Sequence, residues 1–238
     1  MYPNIAFRDD VNEFPNINCA IEDVLTFTYK IERYNNLVFS IVAANIRSMR
    51  ENFDMFLAFL TPLAILTETW LTGDMDFTFD IDGYAWHSVY RNQHGGGVAV
   101  YYRSALDVVL VPELTFVHPA MEVVSICIRG LPRNIFINAV YRTHNSITQF
   151  NQLYVHKIWS NIPTNVNSIL IGDFNANLFN PRKLRSIYSF IHNMAGYVFF
   201  PRIDKPTRIG KNSFSLLDQI WTNFSEPGIN ISVLWMLN

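Results

Sequence analysis

A layered α/β sandwich is the fold class this sequence predicts, and three observations carry the expectation. Short apolar runs with the period or the continuous burial of strands recur along the chain, and only three segments show the 3.6-residue spacing of a helix. Several strand candidates follow one another with no helix between them. A regular βαβ array needs a helix in each crossover, so consecutive helix-free strands point instead to packed sheets with helices outside. The 238 residues are half hydrophobic, enough for one sizeable core, and we read one domain.

Taken in order, residues 1–36 mix acids, Pro and Asn without sustained periodicity, so a poorly ordered N-terminal extension is expected there and the domain is assigned to 37–238. The apolar run 37–43 is the first strand. Met49, Phe53, Phe56, Leu57 and Leu60 then recur at helical spacing, and the run 63–66 forms a second strand that ends at Glu68. Further strands are expected at 84–89, 97–102, 108–111, 123–128 and 135–141. Phe150, Leu153, Tyr154 and Ile158 mark the second helix, before a strand at 168–171 that runs directly into Gly172-Asp173-Phe174-Asn175. Asn180-Pro181 reads as the cap and first turn of a third helix with Leu184, Ile187, Ile191 and Met194 on one face. Strands at 197–200, 216–222 and 229–235 complete the chain.

Eighteen basic and 20 acidic residues leave a formal net charge of −2, so no global positive field advertises nucleic acid. A polyanionic partner would have to be held locally, for instance through a metal ion. Cys19 and Cys127 are too few for a disulfide framework, and Cys127 sits in an apolar run as a core thiol. The N-terminus lacks the basic start and apolar stretch of a secretory signal. The longest apolar run, 56–66, is broken by Thr61-Pro62 and falls far short of the roughly 20 residues of a membrane span. The expectation is a soluble intracellular protein without membrane contact.

Polar residues stand at the ends of the strand candidates: Asn45, Glu68, Tyr141, and Asp173 with Asn175. Singly, each has a plain reading as a turn or cap residue. Together they suggest strand ends converging on one rim, where rigid scaffolds build sites. Gly95 to Gly97 lead into a strand rather than a helix and lack a following Lys-Ser or Lys-Thr, so they read as a turn and not a phosphate-cradling loop.

Seven blocks add to this: Ala44-Asn45-Ile46-Arg47-Ser48, Leu66-Thr67-Glu68-Thr69-Trp70-Leu71, Gly95-Gly96-Gly97-Val98-Ala99-Val100-Tyr101-Tyr102-Arg103, Val140-Tyr141-Arg142, Gly172-Asp173-Phe174-Asn175-Ala176, Pro206-Thr207-Arg208, and Leu216-Leu217-Asp218-Gln219-Ile220-Trp221-Thr222-Asn223. In this order they resemble the apurinic-type endonuclease domains of non-LTR, LINE-type retrotransposons, jockey-like above all, within the endonuclease/exonuclease/phosphatase family. The resemblance implies a DNase-I-like four-layer sandwich, two packed sheets flanked by helices. It implies a Mg²⁺ or Mn²⁺ ion held by Glu68 with Asn45 nearby, Asp173 orienting and deprotonating the attacking water, and Asn175 and Tyr141 donating to phosphate oxygens. Thr207 would contact the phosphate backbone, and Arg47, Arg142 and Arg208 would contact nucleic acid, each with ordinary solvated arginine as the alternative. The implied activity is phosphodiester hydrolysis that nicks DNA in the nucleus and leaves a 3′-hydroxyl to prime a reverse transcriptase encoded downstream.

In the family, the aspartate matching Asp218 hydrogen-bonds a histidine that follows a Ser-Asp pair near the domain's end. This sequence ends at Asn238 without that triplet, so the expectation is a domain lacking its last strand and impaired in activity. His144, three residues past Tyr141, is the candidate substitute, with an ordinary surface loop residue as the alternative. Two alternatives stay open: a remnant that only binds metal or DNA, and a phosphatase on the same fold.

Overall fold

The computed structural model describes residues 28–31, 39–73, 79–91, 95–130, 133–144, 147–162, 166–179, 185–210, 213–224 and 229–231. Two sheets form its centre. The first runs β15 (Ile229–Ile231), β1 (Thr28–Ile31), β2 (Phe39–Asn45), β3 (Leu63–Thr67), β5 (Val98–Arg103) and β4 (Tyr84–Val89). The second runs β11 (Phe200–Pro201), β14 (Asp218–Thr222), β10 (Asn167–Asp173), β9 (Ile135–Arg142), β8 (Met121–Ile128) and β6 (Val108–Leu110), with β7 (Phe116–His118) also on β8. A separate hairpin pairs β12 (Arg208–Gly210) with β13 (Ser213–Ser215).

Strand periodicity explains how the layers stack. On β3 and β5 the residues Leu63, Ile65, Val98, Val100 and Tyr102 face the core shared by the sheets. Their neighbours Ala64, Leu66, Ala99 and Tyr101 face the other way, into an outer cluster with Met49 and Phe56 of helix α1 (Met49–Ala58). There the Phe56 and Tyr101 rings lie 5.2 Å apart. Beyond the second sheet, helices α2 (Ile147–Lys157) and α3 (Arg185–Gly196) contribute Phe150 and Phe190, and Phe190 meets Trp221 of β14 edge-on at 5.6 Å. The order is thus α1, sheet, sheet, α2 with α3, the four-layer sandwich. Phe56, Phe150 and Trp221 are fully buried, each contributing about 1.5–3 kcal/mol of transfer free energy.

Two parallel pairs position the rim. β2 pairs with β3 across the α1 crossover, and β9 pairs with β10 across α2, so four strands bring their carboxyl ends to one side. At the start of helix α1 the Ser48 side chain accepts the Glu51 N–H at 3.4 Å, with Glu51 in the first turn, and the helix kinks at Asn52, whose backbone is non-helical.

Some expected elements differ. Residues 197–200 do not open as a strand: the Val198 N–H donates to Ala195 O at 3.0 Å and the Phe199 N–H to Met194 O at 2.9 Å, closing the end of α3, and β11 begins at Phe200. Hydrophobicity there serves a helix terminus. Strand β1 pairs antiparallel with β2 from within the stretch read as an extension, since four residues are too few to show a period. The short strands β7, β12 and β13 went unread for the same reason. The Asn180-Pro181 cap, residues 232–235 of the last expected strand, the start at Leu37 and Cys19 lie outside the described residues.

Candidate active site

Cross-strand register builds the site's floor. Glu122, Tyr141, Asp173 and Asp218 occupy successive positions in register across β8, β9, β10 and β14, and residues in register share a face of the sheet. Gly172 makes the β9–β10 pairing possible: its φ is 140° and a Cβ there would stand 2.0 Å from the Val140 carbonyl oxygen.

From the opposite sheet, Asn45 at the end of β2 closes the cluster. Its Nδ2 donates to Glu68 Oε1 at 2.8 Å and to Asp173 Oδ2 at 2.9 Å, so one carboxamide joins the two sheets. Asp173, fully buried, also accepts Arg208 Nη2 at 2.6 Å and, on Oδ1, the Asn175 N–H at 2.8 Å. Two carboxylates fix the amide's orientation, because its oxygen would repel both. Asn45 Oδ1 is left buried with no hydrogen-bond partner among the described residues.

The rim loops are strained. Of six non-glycine residues with positive φ among those described, Arg47, Ser48, Glu68, Trp70 and Asn175 lie in the loops after β2, β3 and β10, where function commonly holds such conformations.

Electrostatics separates the polar groups. Burial, then the Glu68, Asp173 and Glu122 carboxylates, raises the Tyr141 phenol well above its ordinary value against the pull of Arg91, so it stays a donor. Asp218 is pushed up to about 7, first by burial and then by Asp173, with Arg208 and a Thr207 hydrogen bond opposing. The Thr207 hydroxyl accepts the Leu217 and Asp218 N–H groups, both at 3.0 Å.

Other expected contacts have different surroundings. Arg142 is only 6% exposed, and its guanidinium donates to the carbonyls of Phe174 and Asn175, where it braces the Gly-Asp-Phe-Asn loop. Asn175 Nδ2 donates to Arg142 O at 2.6 Å. Arg47 and His144 are exposed on their loops, and Arg208 points inward to Asp173. Sequence reading missed Glu122 and Arg91. An acid directly ahead of the run 123–128, inside β8, was the available signal.

Three carboxylates, Glu68, Asp173 and Asp218, thus gather beside the Arg208 guanidinium. The chain belongs to the endonuclease/exonuclease/phosphatase family, whose profile matches residues 32–228. No curated protein sequence matches it. Among solved structures it is similar to the endonuclease domain of TRAS1, a telomere-specific non-LTR retrotransposon, at 15% identity and TM-score 0.58, covering 77% of this chain and 84% of that one. It is also similar to an AP endonuclease from Archaeoglobus fulgidus, at 13% identity and TM-score 0.56, covering 78% and 87%. A third likeness is to the 3′ phosphatase NExo from Neisseria bound to a product DNA hairpin, at 15% identity and TM-score 0.53, covering 76% and 85%. These likenesses show the fold. Among the described residues no helix is long and apolar enough to cross a membrane.

Enzymes of this family generally use divalent metals. Among the described residues no three His, Cys, Asp or Glu side chains could hold an ion alone. Mg²⁺ does not require that, since it is held by one or two carboxylates, retained waters and substrate phosphate oxygens. The Glu68 carboxylate is a hard oxygen donor that fits this pattern, and Asn45 lies beside it with Nδ2 turned towards that carboxylate and Oδ1 buried without a partner.

Proposed function

We propose that this chain is a divalent-metal-dependent phosphodiesterase domain that nicks DNA, leaving a 3′-hydroxyl suited to prime reverse transcription. The observation that carries the reading is the Asn45 amide bound to both Glu68 and Asp173, which draws the ends of β2, β3 and β10 into one cluster at strained loops. In this reading Glu68 would hold a divalent metal with Asn45 beside it, and the metal would supply positive charge against the phosphate oxygens. Asp173, held by Arg208 and the Asn175 amide, accepts a proton from the attacking water. Tyr141 keeps its proton and donates to a phosphate oxygen, as does the second N–H of the Asn175 side-chain carboxamide. Asp218 steadies the far end of the row, and Thr207, Arg208 and Arg47 line the path of the strand.

Nicking of supercoiled plasmid tests this, with the chain alone and with the chain continued by a strand carrying Ser-Asp-His. The expected result is Mg²⁺-dependent nicking in at least one form, lowered by about 10² to 10⁴ in Asp173→Ala. Nicking in neither form, with hydrolysis of a sugar phosphomonoester instead, would replace this reading with a phosphatase on the same fold.

A further inference from the structure

Behind the rim, one carboxylate fastens a loop of the first sheet to the second. Glu122 on β8 is fully buried and lies opposite Tyr141 in register. Its Oε2 accepts the Gly97 N–H, and its Oε1, buried without a hydrogen-bond partner among the described residues, forms a long ion pair with Arg91 Nε at 3.5 Å. Gly96, at φ 79°, closes over this carboxylate, and a Cβ at that position would stand 2.5 Å from Oε1. A buried carboxylate is expensive unless paired and fully hydrogen-bonded, and one amide with one guanidinium edge is modest compensation. Burial accordingly raises the Glu122 pKa, the Gly97 amide and Arg91 oppose the rise, and Glu68 adds to it. An amide or apolar side chain would anchor the loop with less penalty, so the charge itself calls for an explanation.

Arg91 supplies one. Its side chain is 35% exposed, and its charge reaches the Tyr141 hydroxyl, where it acts against Glu68, Asp173 and Glu122. Its Nε edge faces Glu122, and its terminal nitrogens make no hydrogen bond to a described residue. Arg208 stands at the Asp173 and Asp218 end of the row, so the two guanidiniums flank the site.

We infer that Arg91 is a phosphate-binding residue and Glu122 its positioning residue: the buried carboxylate holds the Nε edge, and the terminal nitrogens meet a phosphodiester oxygen on the Tyr141 side of the rim. Planar guanidinium suits this division of labour, with one edge on a carboxylate and the other on a phosphate. The inference rests on the DNA-nicking reading above.

The test is binding of a short DNA duplex to the full chain in Ca²⁺, followed by fluorescence anisotropy across a salt series. Arg91→Ala should lower affinity roughly ten-fold, as expected for a lost charge-assisted hydrogen bond. It should also flatten the slope of log K against log salt by about one, the mark of one lost phosphate contact, while Arg91→Lys keeps the slope. Glu122→Gln should reproduce the Arg91→Ala loss and add nothing in the Arg91→Ala background. If the wild type binds DNA and Arg91→Ala leaves its slope unchanged, the inference is overturned and the nicking reading stands. A further loss from Glu122→Gln in the Arg91→Ala background overturns the positioning role. A wild type that binds no duplex overturns both readings.

Discussion

At the scale of single residues, the site is a set of acids kept apart by their surroundings. Asp218 shows this most clearly, because its folded pKa of about 7 lies above the ordinary carboxylate range near 4. The folded state therefore keeps a proton that the unfolded chain gives up. Its stabilising contribution is full below about pH 4 and is lost as pH rises towards about 7. Urea melts in EDTA at pH 5 and pH 8 should show wild type losing more stability between the two than Asp218→Asn, which cannot ionise. Equal losses would mean that Asp218 is solvated and unperturbed. Residue chemistry was legible wherever a polar side chain ended an apolar run, as with Asn45, Glu68, Tyr141 and Asp173. Glu122 was not, because it sits within a strand, and its significance comes from Gly96, Gly97 and Arg91, which only the sheet packing brings near. Arg142 shows the converse: a basic residue beside a site residue reads as a ligand contact until burial reveals its two carbonyl partners.

At the scale of elements, the backbone has two positions where residue type and conformation can be weighed against each other. Val198, 58% exposed, holds φ 62° at the closure of α3, a position where glycine is usual and a β-branched residue is strained. Left-handed geometry costs about 1–2 kcal/mol, and glycine's extra unfolded entropy offsets about 0.5–1 kcal/mol of the relief. Val198→Gly should therefore raise the free energy of unfolding by roughly 0.5–1 kcal/mol, and a lowered value would show that the Val198 side chain packs usefully. Gly172 is the opposite case. Ala there would drive a methyl group into the Val140 carbonyl at an unfavourable φ, and a loss on the order of 3 kcal/mol is expected, with activity falling because Asp173 is the next residue. Calorimetry on Gly172→Ala would test it, and a change below about 1 kcal/mol would mean that β9 and β10 separate easily. Periodicity made most elements legible, β4 to the residue and α1 to within two. Closure of a helix by Val198 looked like a strand because both uses favour apolar residues.

For the whole molecule, two parallel crossovers explain why the fold makes a site at all. β2 with β3, and β9 with β10, deliver their ends to the same side from different sheets, and packing the sheets face to face turns four strand ends into one cluster. The layered class was legible from consecutive strands, and the family resemblance supplied the number of layers. Strand order was not, since the neighbours of β14 and β15 come from distant parts of the chain. The central claim, that this cluster is a divalent-metal site for phosphodiester chemistry, is tested most directly by thermal melting with and without Mn²⁺ or Mg²⁺ in wild type and Glu68→Ala. A ligand bound only by the folded state at 100 times its Kd adds about 2.7 kcal/mol, which for a domain of this size is a rise of roughly 5–10 °C. The account expects that rise in the wild type and its loss in Glu68→Ala, whereas an equal rise in the variant would place the metal elsewhere and contradict it.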